Sequence, residues 1–186
     1  LGLKPASPSV PAKTKPYTLP INKAECTAYL KKALQRMLTP YGFEEREYLK
    51  VLMSSRPCAI GQQLLSINAF NERRYEPGFV LSLLYFMHIP DMKAVFDTAG
   101  CSVIADDGDF LFDLTKFPSI KALLREMNTD DDLNVLLEHI KNDILPIVNV
   151  NSSYAALNEL VNLQDGWVRS STYERRCVVQ ALVLAY

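Results

Sequence analysis

The chain has 186 residues, 48% apolar and 22% charged, with a formal net charge of −1 and a mean hydropathy of −0.01. These values exclude wholesale disorder, and the length is enough to bury a real core. The net charge by itself names no partner, but its distribution is uneven. Residues 1–75 carry 12 Lys/Arg against 5 Glu, residues 76–165 carry 5 against 15 Asp/Glu, and residues 166–186 carry 3 Arg against one Glu. Such segregation points to charged partners or to head-to-tail self-association, unless the segments neutralise each other across the fold.

Residues 1–20 hold five prolines and three lysines with little to bury, which reads as a proline-rich tail or linker packed at most near Tyr17 and Leu19. Residues 21–186 are then expected to form a single helical domain. Asn22 followed by Glu25 resembles a capping box. After it, Cys26, Tyr29, Leu30, Ala33, Leu34, Met37 and Leu38 recur at helical spacing, with Lys31, Lys32 and Arg36 on the other side. "FEEREYLKVLM" predicts a second helix up to Pro57, and "AIGQQLLSINAFNERR" a third, its Arg73 and Arg74 complementing the helix end. "GFVLSLLYFMHI" (78–89) is apolar on every side and predicts a central helix, too short to span a bilayer.

Asp106, Asp107, Asp109 and Asp113 crowd the next stretch. Their spacing does not match a calcium loop, whereas Asp107-Gly108 between "CSVIA" and "FLFDL" suits a two-residue hairpin turn. A β-hairpin is therefore expected at 101–113. Helix, short helix and hairpin in that order faintly resemble a winged helix-turn-helix, with an acidic tip that would repel phosphate and so meet protein. Further helices are expected at "SIKALLREM", "DDDLNVLLEHIKNDIL", "SSYAALNELVNL" and "SSTYERRCVVQALVLAY". The fold class is thus expected to be all-α, about eight or nine short helices with one small hairpin.

Chemistry is sparse. Cys26, Cys58, Cys101 and Cys177 are scattered beside apolar residues, which favours buried thiols in a reducing, intracellular compartment over a disulfide framework. His88 and His139 have no ligand spacing, and Cys58 has no nearby histidine to activate it. Phosphate-loop, dinucleotide and nucleophile-elbow motifs are absent from the sequence. No cofactor, metal or catalytic residue is expected, and the chain is read as a non-enzyme. "SSTYERR" is the sharpest binding candidate: Ser171 caps a helix start where Arg175 and Arg176 could hold an anion, although a carboxylate of the middle segment would also pair them. The leading Leu1 and the apolar stop at Tyr186 read as a piece of a larger protein.

The functional expectation is a non-catalytic protein–protein interaction or assembly module. Asp106, Asp107 and Asp109 would take a basic partner; Arg175, Arg176, Ser171, Lys31, Lys32 and Arg36 an acidic one. The alternative is nucleic-acid binding, of nucleoprotein or replication-accessory type, through the basic face of the N-terminal helices with Arg175 and Arg176.

Overall fold

The computed structural model describes residues 16–48, 51–74, 76–91, 109–150 and 152–163. Its centre is a five-stranded antiparallel meander, β1 (Glu44–Tyr48), β2 (Val51–Cys58), β3 (Gly61–Glu72), β4 (Phe79–His88) and β5 (Asp109–Asp113), in the order β1-β2-β3-β4-β5. Helix α1 (Lys23–Leu38) precedes the sheet. Helices α2 (Pro118–Glu126), α3 (Asp130–His139), α4 (Leu145–Val150) and α5 (Tyr154–Leu163) follow it.

The sheet overturns the all-α expectation. Both helices expected between Phe43 and Arg74 are strands, and the expected central helix is β4. The physical reason is visible in β4, whose burial alternates strictly between fully and partly buried from Phe79 to His88. An apolar run of this length satisfies a strand covered on both sides as well as a central helix, and local periodicity cannot separate the two. Cross-strand partners decide it: Leu65 lies opposite Tyr85, Ile67 opposite Leu83 and Ala69 opposite Leu81. Pro57, read as a helix breaker, sits in β2 past the last residue of β2 paired with β1, Ser55, where no β1 partner needs its N–H. The winged resemblance falls with the central helix. Of the expected hairpin, residues 101–108 lie outside the described residues, and its second arm is β5, which pairs with β4.

Turn chemistry pins the meander. Gly61 closes the β2–β3 hairpin at φ +155, and a Cβ there would stand 2.0 Å from the His88 carbonyl oxygen, so only glycine fits. Between Ala69 and Asn71 the register shifts, leaving Phe70 without an opposite residue and 52% exposed.

One face of the sheet makes the core. Leu65, Ile67, Leu83, Tyr85, Met87 and Phe112 meet Cys26, Leu30, Leu34 and Leu38 of α1 and the inner side chains of α2, α3 and α4. Tyr85 and Phe112 stack across β4 and β5 with ring centroids 5.3 Å apart. Helix α1 starts as its sequence predicts, Asn22 Oδ1 accepting from the amides of Ala24 and Glu25. At the start of α3, Thr129 and Asp132 form a reciprocal capping box. Between α3 and α4 a π turn, Ile140–Ile144, joins them, with the Leu145 amide donating to the Ile140 carbonyl. Pro146 explains it, because it lacks an N–H and its ring would strike a carbonyl one α-turn back.

The N-terminal segment is tied down from Tyr17 onward. Leu19 is buried, the Thr18 amide donates to the Asn128 carbonyl at 2.8 Å, and the Tyr17 ring lies against Gly78. No helix among the described residues is long and apolar enough to cross a membrane.

Candidate interaction surfaces

Among the described residues a concavity opens at each face of the sheet. The first lies where the N-terminal half of α1 leaves the β1–β2 edge uncovered. It is wide and shallow, about 1060 Å³, and Ile21, Lys23, Lys31, Lys32, Glu45 and Leu52 help to line it. Ile21 is 80% exposed and Leu52 42%, an unusual outlay of aliphatic surface beside three lysines.

Lys31 and Lys32, both expected as binding residues, are therefore brought to this depression. They are not equivalent. Lys31 is half-buried, and burial pushes its ammonium below the usual lysine range while Glu45 acts in the opposite direction. Lys32 is exposed. Arg36 is exposed further along α1, outside this lining. On its flank Tyr29 donates to Asp130 Oδ1 at 2.6 Å, joining α1 to the acidic start of α3, and that hydrogen bond raises the Tyr29 phenol above its ordinary pKa. Tyr29, expected on the buried stripe, is thus 40% exposed and serves as a polar link. The cations of α1 stand beside Glu45, Glu72 and Asp130 rather than on a purely basic face.

Asp106, Asp107, Ser171, Arg175 and Arg176 lie outside the described residues. Asp109 opens β5 opposite His88 in the register. Ile21 and Leu52 were missed by sequence reasoning. Leu52 was hidden by the helical reading of its segment, and Ile21 looked like an ordinary residue before a helix cap.

Cys58, weighed above as a nucleophile, is a partly buried free thiol, and Cys26 is a fully buried one. Beside Cys58 the guanidinium of Arg56 is consumed by structure. Its Nε donates to Gln63 Oε1 at 2.8 Å, one terminal nitrogen to the Tyr41 carbonyl and the other to Asn149 Oδ1, and it lies over the Phe43 ring at 4.6 Å. Gln63 in turn donates to the Val148 carbonyl at 2.6 Å. This network fastens β2 and β3 to α4 and to the turn after α1. Among the described residues no cluster of His, Cys, Asp and Glu could hold a metal ion.

The second concavity, about 660 Å³, is on the opposite face of the sheet. Met53, Phe70, Leu84 and Phe86 supply its apolar lining, with Lys121 and Arg125 of α2 at its rim. Compared with known proteins, the chain matches no family model, no curated protein and no solved structure.

Proposed function

We propose that this chain is a non-catalytic interaction module that recognises a protein partner through the depression beside α1. The observation that carries the reading is the exposure of Ile21 and Leu52 within a ring of Lys23, Lys31 and Lys32. An apolar centre with a charged rim is the layout of a protein–protein contact, and a wide, shallow shape suits a protein surface better than a small ligand. The matching partner presents aliphatic side chains flanked by Asp or Glu. A second copy is one such partner, since the exposed Asp130 and Asp131 at the start of α3 are acidic and would support head-to-tail contact. The free thiols of Cys26 and Cys58 support a reducing, intracellular setting.

Glu45 and Glu72 in the same lining weigh against the nucleic-acid alternative, because carboxylates among the lysines repel phosphate. The test titrates the full chain against labelled single-stranded RNA and duplex DNA at low and moderate salt, and against a displayed library of acidic–apolar peptides. Peptide binding weakened about tenfold or more by Leu52→Asp and by Lys31→Glu/Lys32→Glu is expected, a loss typical of an interface anchor. Tight, steeply salt-dependent nucleic-acid binding that the charge reversal abolishes would replace this reading with the alternative.

A further inference from the structure

The face of the sheet turned away from α1 holds the trough of about 660 Å³, which the function proposed above does not use. The strand register builds its floor. Ser66 lies opposite Leu84 and Asn68 opposite Ser82, and alternation puts Phe86 on the same side of the sheet. On β4 these are the partly buried half of the alternation, whose other half, with Leu83 and Tyr85, belongs to the core. From Val80 to Phe86 the lining follows β4 for about 20 Å at the usual strand rise, so the trough is elongated. Its polar floor is already engaged. The Asn68 amide donates to Ser66 Oγ at 3.1 Å, and an aliphatic chain lying across the two leaves that bond intact.

One rim is cationic. Lys121 and Arg125 of α2 are four residues apart and so share a helix face. Both are exposed, and among the described residues neither side chain takes part in an ion pair or a hydrogen bond. The described lining holds no Asp or Glu, whereas the depression beside α1 holds Glu45 and Glu72.

That combination selects an amphiphile with an anionic end. The volume falls within the range of about 300–1,000 Å³ usual for small-molecule sites. A guanidinium takes both oxygens of a carboxylate in parallel hydrogen bonds, and a lysine one turn away adds a second positive charge. The elongated apolar floor suits an unbranched tail.

We propose that this trough binds a free, single-chain aliphatic carboxylate, its tail along β4 over Met53, Leu84 and Phe86 and its head held by Lys121 and Arg125. The depression beside α1 is at the other face of the sheet, so this inference stands or falls separately from the function proposed above.

The experiment titrates the full chain by calorimetry with dodecanoate below its micelle concentration, and with dodecyltrimethylammonium as the cationic counterpart. Saturable binding of one dodecanoate per chain is expected, with the cation at least about tenfold weaker. Lys121→Glu/Arg125→Glu, on an exposed helix face, should weaken dodecanoate by about tenfold or more, the loss expected from two charge-assisted hydrogen bonds. Lys31→Glu/Lys32→Glu should leave it unchanged. Ser82→Trp should fill the trough and block binding, and Val80→Ser should keep the fold while lowering affinity, each variant being checked by circular dichroism. Labelled dodecanoate should show nuclear Overhauser contacts from its chain to the Met53 and Leu84 methyl groups. Equal binding of both surfactants would mean adventitious adsorption and overturn the proposal. So would an affinity that the Lys121/Arg125 reversal leaves intact, or binding to anionic phospholipid vesicles with none to free dodecanoate.

Discussion

The Arg73 guanidinium donates to Asn128 Oδ1 at 2.5 Å and to the Met127 carbonyl at 2.6 Å, binding the far end of β3 to the joint between α2 and α3. The same joint accepts the Thr18 amide, so the N-terminal segment and the end of β3 converge on Met127-Asn128. Arg73 is 8% exposed while the Glu76 carboxylate is 3.9 Å away and 57% exposed. Its work is thus done by neutral acceptors in a nearly dry site, where a charge-assisted hydrogen bond contributes about 1.5–3 kcal/mol.

Arg73→Met should therefore destabilise the fold by about 2–3 kcal/mol, read as a lower urea midpoint at unchanged slope. Asn128→Ala should cost less, because the Met127 carbonyl still holds the guanidinium. A double-mutant cycle that returned no coupling between the two positions would contradict the geometry.

Two glycines separate steric need from conformational need. Gly42 has φ +81 with nothing within 4 Å of a built Cβ, whereas at Gly61 that atom would meet the His88 carbonyl oxygen at 2.0 Å. Gly42→Ala should cost about 1 kcal/mol, the usual penalty of a left-handed residue. Gly61→Ala should cost more, about 2–3 kcal/mol, because strand pairing has to shift. Equal losses in chemical denaturation would remove the close-approach argument.

Asp143 accepts from His139 Nδ1 and from the Ser119 hydroxyl, each at 2.9 Å. These hydrogen bonds, that of His139 first, hold its carboxyl below the ordinary aspartate value. A depressed carboxylate stabilises the fold above its unfolded pKa, and the contribution disappears as pH falls through the folded one. Ser119→Ala should move the Asp143 carboxyl signal in an NMR titration upward, toward the ordinary range, and leave less acid-dependent stability to lose.

At the other end of the pH scale, burial pushes the Tyr17 phenol up from 10.0 to about 12, and burial likewise raises the Cys26 thiol. A raised pKa means stability fully present below the unfolded value and lost as pH climbs through the folded one. Stability should fall from about pH 10 to about pH 12, and Tyr17→Phe should remove a late-ionising phenol from the absorbance titration. Peptide-resolved alkylation should modify Cys58 well before the fully buried Cys26.

Much of the helical part of this protein was legible in its sequence. Asn22 and Thr129 announce their helices through side-chain acceptors that reach only two or three residues, and the Cys26–Leu38 stripe follows from the helical repeat. Such signals are local, so the chain carries them without its neighbours. The sheet was not legible, because the energy that makes Leu65, Leu83 and Tyr85 strand residues comes from partners across strands and from α1. "GFVLSLLYFMHI" supports either conformation until those partners are in place, and "FEEREYLKVLM" is split between two strands by the same pairing. Lys31 and Lys32 were recognisable as candidates from their side of the helix. The exposure of Leu52 beside them, and of Ile21, was settled only when α1 crossed the sheet and left that edge uncovered. The sequence by itself determined composition, caps and the apolar stripe of α1; tertiary structure decided which apolar runs became strands, because β pairing is a contact between distant residues.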